Sequence, residues 1–68
     1  MHKLAERLVE LRQEKGYTTR KLGADLNVSC ATISRWEKGI NEPDITTIIK
    51  LSEYFDVSVL YLLGIEGH

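Results

Sequence analysis

The chain has 68 residues, which accommodates one domain but not a second catalytic or sensing module. Its 43% hydrophobic content excludes a disordered chain, and its longest apolar run, residues 59–63, is too short to cross a membrane. One cysteine excludes an internal disulfide, and the charged start of the sequence argues against a signal peptide, so we expect a cytoplasmic protein.

Basic and acidic side chains are unevenly distributed, although the net charge is only −1. Residues 1–39 hold eight basic against five acidic side chains, whereas residues 40–68 hold one basic against five acidic. A basic first half suits a phosphate backbone, with the acidic half facing away from it. Chance clustering in so short a chain is the alternative explanation.

Hydrophobic spacing predicts an all-α domain, since no segment alternates as a strand does. The five predicted helices span about residues 3–15, 18–25, 29–38, 44–55 and 58–63. Thr18 is the expected cap of the second helix, and Gly23 within it costs about 1 kcal/mol relative to alanine. A glycine there indicates that another helix passes too close for a β-carbon. Asn27 lies at the sharp turn that follows, because asparagine tolerates the left-handed conformation.

Capping residues also mark the starts of the later helices. Ser29 is expected to cap the third helix and Gly39 to end it, while Asp44 and Ser58 cap the fourth and fifth. The predicted buried face of the fourth helix consists of Ile45, Ile48, Ser52 and Phe55, with Ile49 and Leu51 flanking it.

The most informative segment is residues 18–39, two short helices joined by a tight connection. The second of these helices has an apolar side, with Ile33 and Trp36, and an opposite side of small polar residues and one arginine. Two short helices held at a sharp angle, the second exposing small side chains, suit the major groove of DNA.

Short motifs in a fixed order extend over nearly the whole chain. They are Leu22-Gly23-x-x-Leu26-x-Val28-Ser29, Thr32-Ile33-Ser34-Arg35-Trp36-Glu37-x-Gly39, Pro43-x-x-x-Thr47-Ile48, Leu51, and Val57-Ser58-x-x-Tyr61-Leu62-Leu63-Gly64. With these motifs the chain resembles, from about Leu4 to Gly64, the lambda repressor/Cro-type helix-turn-helix family, also called the Xre family. The resemblance implies a five-helix domain that binds operator DNA, commonly as a dimer, with its third helix in the major groove. Family members are mostly transcriptional repressors, and some are antitoxins.

The residues predicted to read bases lie on the third helix: Cys30, Ala31, Thr32, Ser34 and Arg35. Arg35 lies on the side opposite Ile33 and Trp36, and its guanidinium can donate hydrogen bonds to both O6 and N7 of a guanine. A phosphate contact or a surface ion pair is the alternative role for Arg35. Relatives often have polar readers in place of Cys30 and Ala31, whose small side chains suit thymine methyl groups and A·T steps. A thiol switch at Cys30 is a second possibility. Trp36 is predicted to be a core residue.

The residues predicted to bind phosphates are Thr19, Arg20, Lys21 and Lys38. Arg20 and Lys21 lie in the first turn of their helix, where the macrodipole disfavours cations by about 0.3–1 kcal/mol each. Two cations at this unfavourable position indicate a surface that binds phosphates. The alternative is an ordinary solvent-exposed face. Many relatives have a glutamine at Thr19, and the shorter hydroxyl could still reach a phosphate.

Other residues have predicted structural or interface roles. The resemblance implies a partly buried ion pair between Arg12 and Glu37, which would join the first and third helices. The last helix is more apolar than one face can bury, so Leu60, Tyr61 and Leu63 are predicted to form a homodimer contact. The alternative is that Leu60 and Tyr61 merely cover the edge of the core.

The sequence contains no catalytic constellation, so no enzymatic activity is expected. His2 and His68 lie at opposite ends and, with the lone Cys30, lack metal-ligand spacing, so we predict no metal, cofactor or small-molecule ligand. We therefore expect a transcriptional regulator, a repressor, that binds a palindromic double-stranded DNA operator as a homodimer. The alternative is a protein-interaction module, such as an antitoxin or an accessory subunit, that keeps the fold with weak DNA reading.

Overall fold

A computed structural model describes the backbone of residues 2–65 and the side chains of residues 3–65. Within this part the chain forms five helices and no strand, which confirms the all-α prediction. The helices are α1 (His2–Lys15), α2 (Thr19–Leu26), α3 (Cys30–Glu37), α4 (Ile45–Phe55) and α5 (Val59–Leu62). None of these helices is long and apolar enough to cross a membrane. Glu66, counted in the acidic half, and His68, considered as a metal ligand, lie outside the described residues.

The four predicted caps are confirmed, and they explain why most predicted helices begin one residue early. Thr18, Ser29, Asp44 and Ser58 immediately precede α2, α3, α4 and α5, and the predicted ranges included them. Each side chain accepts a hydrogen bond from the backbone N–H three residues later. Such a bond satisfies an N–H group that has no partner inside the helix and stabilises the helix by about 1 kcal/mol. At their carboxyl ends, α2, α3 and α5 differ from the predicted ends by one residue.

All five helices end in the same way, at a residue in the left-handed conformation. These residues are Gly16, Asn27, Gly39, Asp56 and Gly64, with φ between 57° and 79°. Each donates its N–H to a carbonyl three residues back, and the next residue donates five residues back, as Val28 N does to Gly23 O at 2.8 Å. The paired bonds satisfy carbonyls at the helix end and turn the chain sharply. The left-handed conformation predicted for Asn27 is confirmed, whereas that of Asp56 was not predicted.

The core draws residues from every helix. Its members are Leu4, Leu8, Leu11, Leu22, Ile33, Trp36, Ile48, Leu51, Phe55 and Leu62. Trp36 is only 7% exposed, which confirms it as a core residue. On α4 the prediction is partly wrong, because Ile45 is 62% exposed and Leu51 is fully buried. The buried stripe is centred on Ile48 and Phe55, so Leu51 falls within it and Ile45 lies at its margin.

Candidate nucleic-acid interface

The turn between α2 and α3 passes very close to Gly23. A β-carbon built on Gly23 would lie 2.7 Å from the carbonyl oxygen of Val28 and 3.4 Å from the backbone nitrogen of Cys30. The prediction of a close approach is therefore right, but the neighbour is the turn and the first residue of α3 rather than a passing helix. Gly23 thus sets how closely the start of α3 lies against α2.

The outer side of α3 carries most of the residues predicted to read bases. Helical spacing places on this side Cys30, Ala31, Ser34, Arg35 and Lys38. Ser34 is half-buried and the other four residues are exposed. The guanidinium of Arg35 has no hydrogen bond or ion pair within residues 2–65, so it is available to a ligand.

Thr32 lies at the edge of this surface, and its hydroxyl is engaged within the helix cap. Ser29 Oγ lies 2.9 Å from Thr32 Oγ1 and accepts a hydrogen bond from Thr32 N at 3.1 Å. A base contact from Thr32 would therefore use its methyl group or require the two hydroxyls to separate.

Three of the residues predicted to bind phosphates, Thr19, Arg20 and Lys21, lie in the first turn of α2, where backbone N–H groups lack partners inside the helix. Arg20 is exposed, and its guanidinium has no partner in the described part of the chain; Thr19 is half-buried. Unpaired N–H groups, the positive end of the helix dipole and a nearby guanidinium together favour an anion.

Lys21 differs from Arg20 because its ammonium is bound within the protein. Lys21 Nζ donates to Asp25 Oδ2 at 3.1 Å and lies 4.8 Å from the ring centre of Tyr17. The same Asp25 oxygen accepts a hydrogen bond of 2.5 Å from the hydroxyl of Tyr54 on α4. These bonds, from Tyr54 first and then from Lys21, hold the pKa of Asp25 below its ordinary value, so its carboxylate stays charged at neutral pH.

Tyr54 lies beside the candidate interface, and no sequence pattern indicates its role there. Burial, and then the hydrogen bond to Asp25, raise the pKa of Tyr54, so the hydroxyl keeps its proton and donates it. The four-residue spacing of Lys21 and Asp25 is a sequence signal for a helical ion pair. Tyr54 lies 29 residues from Asp25, and no local pattern connects the two.

Arg12 and Glu37 form the ion pair that the resemblance implies. Arg12 Nε lies 2.6 Å from Glu37 Oε2, and Arg12 Nη2 lies 3.1 Å from Glu37 Oε1. The hydrogen bond to Glu37 raises the pKa of Arg12 despite its partial burial, so the guanidinium remains charged. The charged groups of both side chains are bound to each other, which is typical of a structural role rather than of DNA contact.

Among the three residues predicted for a dimer contact, Leu60 alone is exposed, at 46%. Tyr61 and Leu63 are half-buried and pack against the core. The guanidinium of Arg7 lies 4.3 Å from the ring centre of Tyr61 and Arg7 Nε donates to the Tyr61 carbonyl at 3.2 Å, which fastens α5 to α1. Within residues 3–65 the other exposed large apolar side chains are Ile40, Ile45, Ile49 and Ile65.

An exposed helix held against a second helix by a tight turn, within a five-helix domain, defines a helix-turn-helix DNA-binding domain. The chain belongs to the helix-turn-helix family, whose model matches residues 8–62. This match confirms the resemblance to the lambda repressor/Cro type, or Xre type, of that family.

Relatives with solved structures or curated names are consistent with this family. The N-terminal DNA binding domain of SinR from Bacillus subtilis superposes with a TM-score of 0.85 and 33% identity, covering 100% of this chain and 99% of that chain. The HTH-type transcriptional regulator ImmR of Bacillus subtilis (strain 168) is 41% identical over 61 residues, which are 90% of this chain and 48% of ImmR. The HTH-type transcriptional activator BcrR of Enterococcus faecalis is 36% identical over 61 residues, 90% of this chain and 30% of BcrR. The chain thus spans about half the length, or less, of these curated relatives.

Proposed function

We propose that this chain is the DNA-binding domain of a cytoplasmic transcriptional regulator that occupies double-stranded operator DNA as a homodimer, with α3 in the major groove. The observation that carries the proposal is the outer side of α3, where the Arg35 guanidinium is exposed and unpaired within residues 2–65. Ala31 and Ser34 beside it are small, so the helix can approach base edges closely, and a guanidinium can donate to both major-groove acceptors of guanine. The names of the relatives support the regulatory class.

Phosphate contacts would come from both sides of the recognition helix. Thr19 and Arg20 lie at the start of α2, and Lys38 follows the last residue of α3. These groups would set the position of the domain on the duplex, whereas the outer side of α3 would supply sequence discrimination. Lys21 contributes fully only when its ammonium leaves Asp25.

Dimerisation and repression complete the proposal. Two copies related by a two-fold axis would place their α3 helices in successive major grooves about 34 Å apart, which requires a palindromic operator. The exposed Leu60 supports a contact between copies at α5. A dimer bound across a promoter would repress by occupancy, because it excludes polymerase from the same DNA.

The decisive experiment is enrichment of randomised duplex DNA by the purified protein, with Arg35→Ala and Lys3→Ala variants alongside. We expect a palindromic motif with half-site centres about 10 base pairs apart. Arg35→Ala should lose discrimination of about 1–3 kcal/mol at one position of each half-site, because it removes a base contact. Lys3→Ala, which removes the same charge from α1, should leave the motif unchanged. Absence of any enriched sequence at low salt would reject the proposal.

A second candidate, a protein-interaction module such as an antitoxin or an accessory subunit, is favoured by two observations. Cys30 and Ala31 at the start of α3 cannot form bidentate hydrogen bonds, while Ile45, Ile49 and Leu60 are exposed apolar side chains. The salt dependence of DNA binding separates the two functions. A DNA-binding regulator should lose affinity steeply with salt, by a logarithmic slope of about 0.9 for each phosphate contact. An interaction module should show weak DNA binding or none.

A further inference from the structure

Asp25 lies at the centre of a polar cluster that holds Lys21, one of the residues predicted to bind phosphates. The Asp25 cluster consists of Tyr17, Lys21, Asp25 and Tyr54, with the Lys21 ammonium and the Tyr54 hydroxyl both donating to Asp25 Oδ2. The rings of Tyr17 and Tyr54 meet edge to face, with their centres 6.0 Å apart. The cluster therefore joins α2 to α4 and to the segment that precedes α2.

The contacts of the cluster leave the Lys21 ammonium bound to a carboxylate rather than free for an anion. Asp25 lies one helical turn after Lys21, toward the carboxyl end of α2. Arg20, Lys21 and the unpaired N–H groups lie in the first turn, at the opposite end of the same helix from Asp25. A phosphate at the first turn would therefore compete with the Asp25 carboxylate for the Lys21 ammonium.

We propose that Asp25 is a positioning residue that lowers DNA affinity by holding the Lys21 ammonium away from phosphate, with the Tyr54 hydroxyl fixing the carboxylate. The inference rests on the proposed DNA-binding function. When DNA binds, the Lys21 ammonium exchanges the Asp25 carboxylate for a phosphate. Its phosphate contact therefore contributes less to DNA affinity than that of a lysine without a carboxylate partner. A phosphate contact carries no base information, so Asp25 lowers the affinity for specific and non-specific DNA alike.

The test compares Asp25→Asn with Glu53→Gln in their affinity for a short duplex of mixed sequence at several salt concentrations. The Asp25→Asn substitution keeps the size of the side chain and an acceptor oxygen but removes the charge. Glu53 is an exposed carboxylate that borders the same open cleft between α2 and α4, with no contact to Lys21, and is therefore the matched control. Both substitutions are also made in a Lys21→Gln background, and circular dichroism checks that each variant is folded.

We expect Asp25→Asn to tighten binding about two- to fivefold more than Glu53→Gln does, and Lys21→Gln to abolish that difference. The logarithmic salt slope should steepen by up to about 0.9 in Asp25→Asn, because one more cation acts fully on the phosphates. Tyr54→Phe, which keeps the ring and removes the hydroxyl, should produce a smaller tightening in the same direction. A purely structural role for Asp25 would change stability without changing the salt slope.

The inference is overturned if Asp25→Asn binds no more tightly than Glu53→Gln, or if its advantage persists with Lys21→Gln. Weaker binding by Asp25→Asn would also overturn it, since Asp25 would then be placing Lys21 on the phosphate. Wild-type protein that shows no salt-dependent DNA binding would reject the proposed function itself. Wild-type binding combined with an ineffective Asp25→Asn substitution would reject this inference alone.

Discussion

Arg12 and Glu37 lie 25 residues apart in the chain, and their side chains form a bidentate ion pair that joins α1 to the last residue of α3. The two side chains are only 17% and 10% exposed. A third N–H of Arg12 donates to the carbonyl of Tyr17 at 2.9 Å, so the same guanidinium also secures the segment before α2. The position of the proposed recognition helix thus depends on a residue of α1 whose guanidinium is bound to Glu37 and Tyr17.

Removing Arg12 should strongly destabilise the domain. Arg12→Ala leaves the Glu37 carboxylate without its counter-charge in a largely buried place, and we expect a loss of about 2–4 kcal/mol in the free energy of unfolding. Urea denaturation followed by circular dichroism measures it. Lys3→Ala, which breaks the exposed Lys3–Glu6 pair, should change the same quantity by less than about 0.5 kcal/mol. Equal effects of the two substitutions would contradict a structural role for Arg12.

Gly23→Ala tests the close approach between α2 and the turn. Alanine in an unobstructed helix interior would gain about 0.5–1 kcal/mol over glycine. At position 23 the β-carbon would meet the Val28 carbonyl at 2.7 Å, so we expect a net loss of about 1–3 kcal/mol. Thermal denaturation of the wild type and the variant measures the change in melting temperature. A lower melting temperature supports the close contact, whereas a higher one would mean that the turn moves aside without cost.

Asp44→Asn should make the domain less sensitive to acid. Hydrogen bonds from the Thr47 side chain and backbone hold the pKa of Asp44 below the ordinary value of 3.8. A carboxylate with a lowered folded-state pKa stabilises fully above its unfolded pKa, and the contribution disappears as the pH falls through the folded pKa. Asparagine caps about as well but does not titrate, so the free energy of unfolding should fall less steeply below about pH 5. Glu14→Gln on α1 is the control, because it also removes one carboxylate. If it reduces the pH dependence of the free energy of unfolding as much as Asp44→Asn does, the effect does not come from the cap.

Arg20→Ala should weaken DNA binding without changing its sequence preference. A phosphate contact carries no base information, so the enriched motif should stay the same while the logarithmic salt slope falls by about 0.9 for each domain. Fluorescence anisotropy with one duplex at increasing salt measures the slope. A changed motif would instead assign Arg20 to base reading, and an unchanged slope would leave it on a solvated face.

Leu60→Ser should weaken self-association. If the exposed Leu60 side chain is covered by a second copy, its removal should raise the dimer dissociation constant about tenfold or more. Sedimentation equilibrium measures this constant. Ile40→Ser changes a side chain of similar size and greater exposure, 67%, in the segment between α3 and α4. Equal dissociation constants for the wild type and both variants would exclude α5 as the dimer contact.

Local patterns predicted the helix boundaries well because each depends on neighbours within about five residues. Ser29 and Asp44 cap their helices through bonds from N–H groups three residues later, and Asn27 ends α2 by donating its N–H to the carbonyls three and four residues back. The prediction for α4 was less successful. Apolar residues at 45, 48, 49, 51 and 55 are compatible with more than one buried stripe, and only packing against the other helices placed Leu51 inside and Ile45 outside.

The sequence by itself determined the five helices, their caps and the candidate reading face of α3, since these follow from chain-local hydrogen bonds and helical periodicity. Tertiary structure decided which charged groups are free for a ligand. Arg20 and Lys21 are adjacent and alike in sequence, yet Arg20 has no partner among the described residues, whereas Lys21 is held by Asp25. Tyr54 reaches that carboxylate from α4, 29 residues away, and such a meeting depends on how helices pack rather than on any local pattern.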